Sequence, residues 1–170
     1  GSASDEDIAA AFFLWADCDD EGAAGNVLRF GGPKWTAAVT TGKTPSTRVH
    51  VYWELFEPCL DLAAWRQMQS DIAAHFQSDR TVINPSRIMR VGGTVSWPAD
   101  QKRQRGYIDE LTTIRTEYPE LREPGRFEQM RRVFTAAAPQ APAAAPRIDT
   151  GSQYAPPLDR ERMAIQAMSG

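Results

Sequence analysis

Asp17 and Asp19 flank Cys18 at the end of the apolar run Phe12-Phe13-Leu14-Trp15-Ala16. On an extended strand, side chains at i and i+2 leave the same face, so both carboxylates can point into one site. Two such oxyanions repel unless a cation sits between them. Magnesium or manganese is the natural ion, because hard oxygen ligands suit it and it keeps open positions for phosphate oxygens. The plainer reading of the same residues is a pair of turn-forming acids at a loop entrance.

A second group lies on the predicted strand around His50. Period 2 puts Arg48, His50 and Tyr52 on one face and Val49, Val51 and Trp53 on the other. His50 can donate a hydrogen bond to a phosphate oxygen, and Arg48 adds positive charge. A half-exposed histidine on an edge strand would look the same. The third group is Asp79 with the run from Asn84 to Thr94. Asp79 can complete a metal triad with Asp17 and Asp19, Gly92-Gly93 lets backbone approach a ligand closely, and Arg90 can bind phosphate. Taken singly, Ser78-Asp79 is a helix-ending turn and Gly92-Gly93 a bulge.

An acid-x-acid strand end, then a histidine strand, then an acid ahead of an arginine-glycine run: in this order the chain resembles the archaeo-eukaryotic primase superfamily. More narrowly, it looks like the RepB-like primase-polymerase domains at the front of plasmid and phage replication proteins. Their first motif, an apolar strand ending Asp-x-Asp, is matched by Phe13-Leu14-Trp15-Ala16-Asp17-Cys18-Asp19. Their second, a small residue, any residue and then His, often continuing Tyr-Trp, is matched by His50, Tyr52, Trp53 and Leu55. The third is an acid after a helix, matched by Asp79, followed in many relatives by a Pro-x-Arg-x-x-Arg-x-x-Gly-Thr run, matched by Pro85, Arg87, Arg90, Gly93 and Thr94. The match spans about residues 8 to 114. Arg48 departs from it, standing where a small residue is usual; so do Pro45-Ser46-Thr47 in place of a glycine-rich approach, and Gly92 in place of a common proline. No zinc-binding insertion is present.

The resemblance implies an α/β fold: a mixed, largely antiparallel sheet with packed helices, like the RNA-recognition-like core of primase catalytic domains. It implies a DNA primase/polymerase-type nucleotidyltransferase in plasmid or phage replication, transferring nucleotides to a 3'-hydroxyl on a DNA template. Asp17, Asp19 and Asp79 would be both its catalytic residues and the ligands of two Mg2+ or Mn2+ ions. His50 and Arg90 would bind the phosphates of the incoming nucleoside triphosphate, with Arg48 and Lys43 as weaker candidates. Its partners would be nucleoside triphosphates, a single-stranded or primed DNA template and, by family analogy, a helicase domain on the same natural chain. Two rivals stand beside it. A non-catalytic DNA-binding replication-initiator fragment would bind without incorporating, and a metal-dependent nuclease or phosphoesterase would release nucleotides without added triphosphates.

These side chains need elements to position them. Apolar residues at Leu62, Trp65, Met68, Ile72 and Phe76 predict an amphipathic helix over residues 61 to 76, the clearest in the chain. Strands are expected at 12 to 16, 36 to 41 and 48 to 55, and branched and aromatic content adds 87 to 95 and 105 to 114. A short helix is expected ahead of the first strand, and another helix at 126 to 135. Residues 22 to 34, with Gly22, Gly25, Gly31, Gly32 and Pro33, read as a loop around a short segment at 27 to 30.

One ordinary core fits the 170 residues and 42% hydrophobic content. The catalytic domain is expected over residues 3 to 135, an alanine-proline linker over 136 to 148, and a tail with a possible short helix over 149 to 170. A net charge of -3 argues against coating nucleic acid through bulk charge, so DNA contacts would use local clusters at Arg80 to Arg90, Lys102 to Arg105 and Arg126 to Arg132. Two cysteines without CxxC spacing disfavour a zinc knuckle or a disulfide framework and suit a reducing, cytoplasmic compartment. No stretch is long and apolar enough to span a bilayer. Gly1-Ser2 reads as the scar of a cleaved tag on an excised fragment.

Overall fold

A computed structural model describes residues 3–117 and 126–137. The expected tail, and the linker from residue 138 on, lie outside them. A 3-10 turn at Asp5–Asp7, where a short helix was expected, is closed by Ser4, whose amide and hydroxyl both donate to the Asp7 carboxylate. It leads into β1 (Ala11–Cys18), α1 (Glu21–Leu28), β2 (Ala37–Gly42), β3 (Arg48–Cys59) and α2 (Leu62–Phe76). β4 (Val95–Ser96), α3 (Asp100–Arg103), β5 (Glu110–Leu111), β6 (Thr113–Thr116) and α4 (Arg126–Ala137) follow.

Four strands form one sheet in the order β1-β3-β2-β6, with every neighbouring pair antiparallel. β4 and β5 form a separate antiparallel pair. The expected α/β architecture of an antiparallel sheet with packed helices is therefore the one found. Alternation drives it: Leu14, Ala16 and Cys18 of β1 and Val49, Val51, Trp53 and Leu55 of β3 are buried in one core. Trp65, Met68, Ile72 and Phe76 of α2 join that core from one helical stripe, at roughly 1.5–3 kcal/mol per large side chain buried. Asp61 starts α2 by accepting from the Ala63 and Ala64 amides, and Gln77 ends it in a left-handed conformation. α4 closes the core with Met130 and Phe134, the latter against Phe30, Trp53 and Phe76.

The outer edge of β1 matters most for the site. An edge strand carries backbone groups that its sheet leaves unpaired. Here α2 and the chain beyond it satisfy them. Trp65 Nε1 donates to the Phe13 carbonyl at 2.8 Å, Gln69 Oε1 accepts from the Trp15 amide at 3.0 Å, and the Asp79 amide donates to the Asp17 carbonyl at 2.8 Å. The same bonding that covers the edge brings Asp79 beside Asp17.

Two expectations are corrected. Residues 21–28 are helical, not a loop, because Asp20 accepts from the Ala23 amide at 2.8 Å as an N-cap and Ala23, Ala24 and Val27 are buried. Core burial there outweighs the helix cost of Gly22 and Gly25. Residues 87–94 form no strand, and the segment 105 to 114 keeps only β5 and the start of β6. Its branched residues find no core: Ile88, Val91, Ile108 and Leu111 stay exposed. Gly92 instead lies against β6, where an added Cβ would meet Ile114 Cβ at 2.6 Å, and Gly93 turns at φ +85. The close approach expected of this glycine pair is thus made to the protein's own sheet.

Candidate active site

The antiparallel register sets Asp17 of β1 directly opposite His50 of β3. His50 Nε2 comes within 3.4 Å of Asp17 Oδ1, and the two side chains are only 11% and 13% exposed. That approach makes no hydrogen bond, so Asp17 Oδ1 is buried without a hydrogen-bond partner among the described residues. On the other side of the ring, His50 Nδ1 lies 3.3 Å from the Tyr52 hydroxyl. If that hydroxyl donates, the single proton of a neutral imidazole sits on Nε2 and faces Asp17.

Both groups open onto a pocket of about 510 Å3. Asp19, Arg90 and Lys102 line it too, the last with its ammonium 4.0 Å from Asp19 Oδ2. Arg90 is held by its Nη1 donating to Ser96 Oγ at 2.5 Å. Burial, then the charges of Asp19 and Asp79, push the Asp17 carboxyl up to about 7, with Lys102 and Arg90 opposing. Burial, then the nearby Arg90, drives His50 down to about 4. Near neutral pH the facing imidazole is therefore uncharged, and the pair is not an ion pair.

The two shifts have opposite consequences. Asp17 binds its proton more tightly folded than unfolded, so its contribution to stability falls as pH rises from about 4 to about 7. His50 binds its proton less tightly folded, so its contribution is complete above its ordinary 6.5 and is lost as pH falls toward 4. Between these limits the slopes oppose each other. Thermal unfolding in a chelating buffer should therefore show a shallow pH dependence for the native chain. Asp17→Asn should unmask stability that rises with pH, and His50→Gln stability that falls with it; parallel profiles in all three would exclude this coupling.

Of the expected metal triad, Asp17 and Asp19 share the pocket, and Asp79 acts on Asp17 through its charge. The Asp79 carboxylate is turned to the Thr81 amide at 2.7 Å. Accordingly, among the described residues no three His, Cys, Asp or Glu side chains form a group that could hold a metal ion. The donor chemistry nevertheless fits a hard divalent cation: an orphaned, buried carboxylate oxygen at Asp17 and mutually repelling carboxylates that a cation would relieve.

Arg48 and Lys43 are placed differently from His50 and Arg90. The Arg48 guanidinium lines the pocket but is spent on its own fold, donating to Glu110 Oε2 at 3.0 Å and to the Thr44 and Ser46 carbonyls at 2.6 and 3.2 Å. Lys43 is exposed and does not line the pocket; its amide donates to Glu110 Oε1. Sequence reasoning missed Lys102, Ser96, Trp97 and Tyr107 as pocket residues. Only the basic cluster from 102 to 105 signalled any of them, since Ser96, Trp97 and Lys102 lie between, and Tyr107 within, the segments expected as strands.

No protein-family model matches the chain, and no curated protein does. Among solved structures it is similar to the AEP domain of the primase-polymerase (PrimPol) of cyanophage S-2L, at 28% identity and a TM-score of 0.52. The likeness covers 75% of this chain and 63% of that one, so the chain spans less than two thirds of its neighbour's length. The likeness supports the fold of the archaeo-eukaryotic primase superfamily. Among the described residues, no helix is long and apolar enough to cross a membrane.

Proposed function

We propose that this chain is a metal-dependent nucleotidyltransferase of the archaeo-eukaryotic primase superfamily, adding nucleotides to a 3'-hydroxyl on a DNA template during phage or plasmid replication. The observation that carries the reading is one pocket in which the carboxylates of Asp17 and Asp19 meet the cationic side chains of Arg90 and Lys102 beside His50.

Asp17 and Asp19, with Asp79 alongside, would hold Mg2+ or Mn2+. Such an ion, when bound, supplies charge stabilisation to the transferring phosphoryl group and lowers the proton affinity of the attacking hydroxyl. The chain's own residues do the positioning. Arg90, braced by Ser96, and Lys102 offset the negative charge of a triphosphate. His50, kept neutral by its surroundings, would offer an Nε2 proton to a phosphate oxygen. Arg48 serves the site by holding its wall, with its charge already matched by Glu110.

Extension of a labelled primer on a DNA template, with each nucleoside triphosphate and either metal, tests the reading. A ladder that grows with time and requires metal supports it. Template binding without incorporation would leave only the DNA-binding alternative.

A further inference from the structure

Of the five tryptophans, Trp97 alone is exposed, at 69%; Trp53 and Trp65 are fully buried, Trp35 nearly so, and Trp15 is half-buried with its Nε1 bonded to the Val82 carbonyl. An indole is large and largely apolar, so one held in water on a pocket wall suggests a surface awaiting a partner. Its backbone is constrained. Ser96 pairs with Glu110 in the β4–β5 ladder, and Pro98 confines the preceding residue to extended conformations. Through Ser96 the same short segment also anchors Arg90.

The pocket thus combines two chemistries. β1, β3, Arg90 and Lys102 supply charged groups suited to phosphate and cation, while Ile88, Met89, Trp97 and Pro98 supply apolar surface and one flat ring. A volume of about 510 Å3 falls in the range of small-molecule sites. A ligand that is anionic at one end and planar and weakly polar at the other is a nucleotide. Resting on the nucleotidyltransferase reading above, we propose that Trp97 stacks on the base of the incoming nucleoside triphosphate. Every base offers a π face, so this contact binds all four and leaves the choice among them to the template.

The chain's own fluorescence gives the test, because Trp97 is the one exposed indole. Titration with each of the four deoxynucleoside triphosphates, without DNA, should quench emission saturably and with similar affinity for all four, and Trp97→Phe should abolish the quenching. In primer extension, Trp97→Ala should raise the nucleotide KM about tenfold with kcat little changed, and Trp97→Phe should restore most of the loss. Quenching by a single-stranded oligonucleotide but not by triphosphates, or an unchanged KM in Trp97→Ala, would overturn the proposal. Should Trp97→Ala not fold, the native chain and Trp97→Phe decide it by fluorescence alone. Incorporation by a native chain that shows no quenching removes the stacking contact only. Quenching in a native chain that incorporates nothing preserves the contact and removes the transferase reading.

Discussion

Asp17→Asn is expected to lower metal-dependent nucleotide incorporation by about a thousandfold or more, because a carboxylate that holds a catalytic cation contributes several kcal/mol to the transition state. The substitution keeps shape and removes charge. Its effect on stability should run the other way. With metal chelated above pH 7, the native protein keeps a carboxylate ionised in a buried place beside Asp19 and Asp79, at a cost on the order of a few kcal/mol. Asn carries no such charge, so the metal-free variant should melt higher than the native chain at pH 8. Added magnesium should then raise the melting temperature of the native chain and leave the variant nearly unmoved. An inactive variant that is also less stable without metal would point to a structural Asp17. Full activity in the variant would sink the assignment.

The parts of this site that could be read from sequence are those whose signals are local. β1 ends at Cys18, just beyond the apolar run that leads to Asp17, and α2 follows from apolar residues spaced three and four apart. Pairing of Asp17 with His50 needs the register of two strands 33 residues apart, which motif order suggested and no local pattern could set. α1 was hidden because glycine spoke for a loop while the decisive factor, burial of Ala23, Ala24 and Val27, was tertiary. Residues 87 to 94 and 105 to 109 were misread for the opposite reason: their composition suits strands, but strand formation also requires a partner and a face to bury. Thr112 gives the former segment other bonds, its hydroxyl reaching the Val91 and Thr94 carbonyls. The bond that engages Arg48 could not be read locally, because its partner, Glu110, lies 62 residues away.

That partnership leads to a second large expected effect, this one on stability. Glu110→Ala should cost about 3 kcal/mol, the lower end of what stranding a buried charge costs, since the Glu110 side chain retains 15% exposure and Arg48 only 6%. Three donors lose their acceptor at once: Arg48 Nη2 and the amides of Lys43 and Thr44. Burial works against ionised Glu110, but those same amides and the guanidinium hold its carboxyl below the ordinary 4.5. The stability it contributes is therefore present above that value and lost as pH falls through the lowered one. Denaturant unfolding at pH 7 should show a lower midpoint with an unchanged slope, and a melting temperature about 10 °C lower. Arg48→Met should cost less, because Glu110 keeps both amides and the methionine stem refills the space beside Tyr107, whose ring lies 4.4 Å from the guanidinium. Gly42 is part of the same fit, since a Cβ there would meet Glu110 Oε2 at 2.6 Å. Lys102 also lies over the Tyr107 ring, at 5.5 Å, so loosening this network should raise the nucleotide KM as well. A Glu110→Ala protein that is as stable as the native chain would mean that Arg48 finds solvent on its own, and that its charge remains available to a phosphate after all.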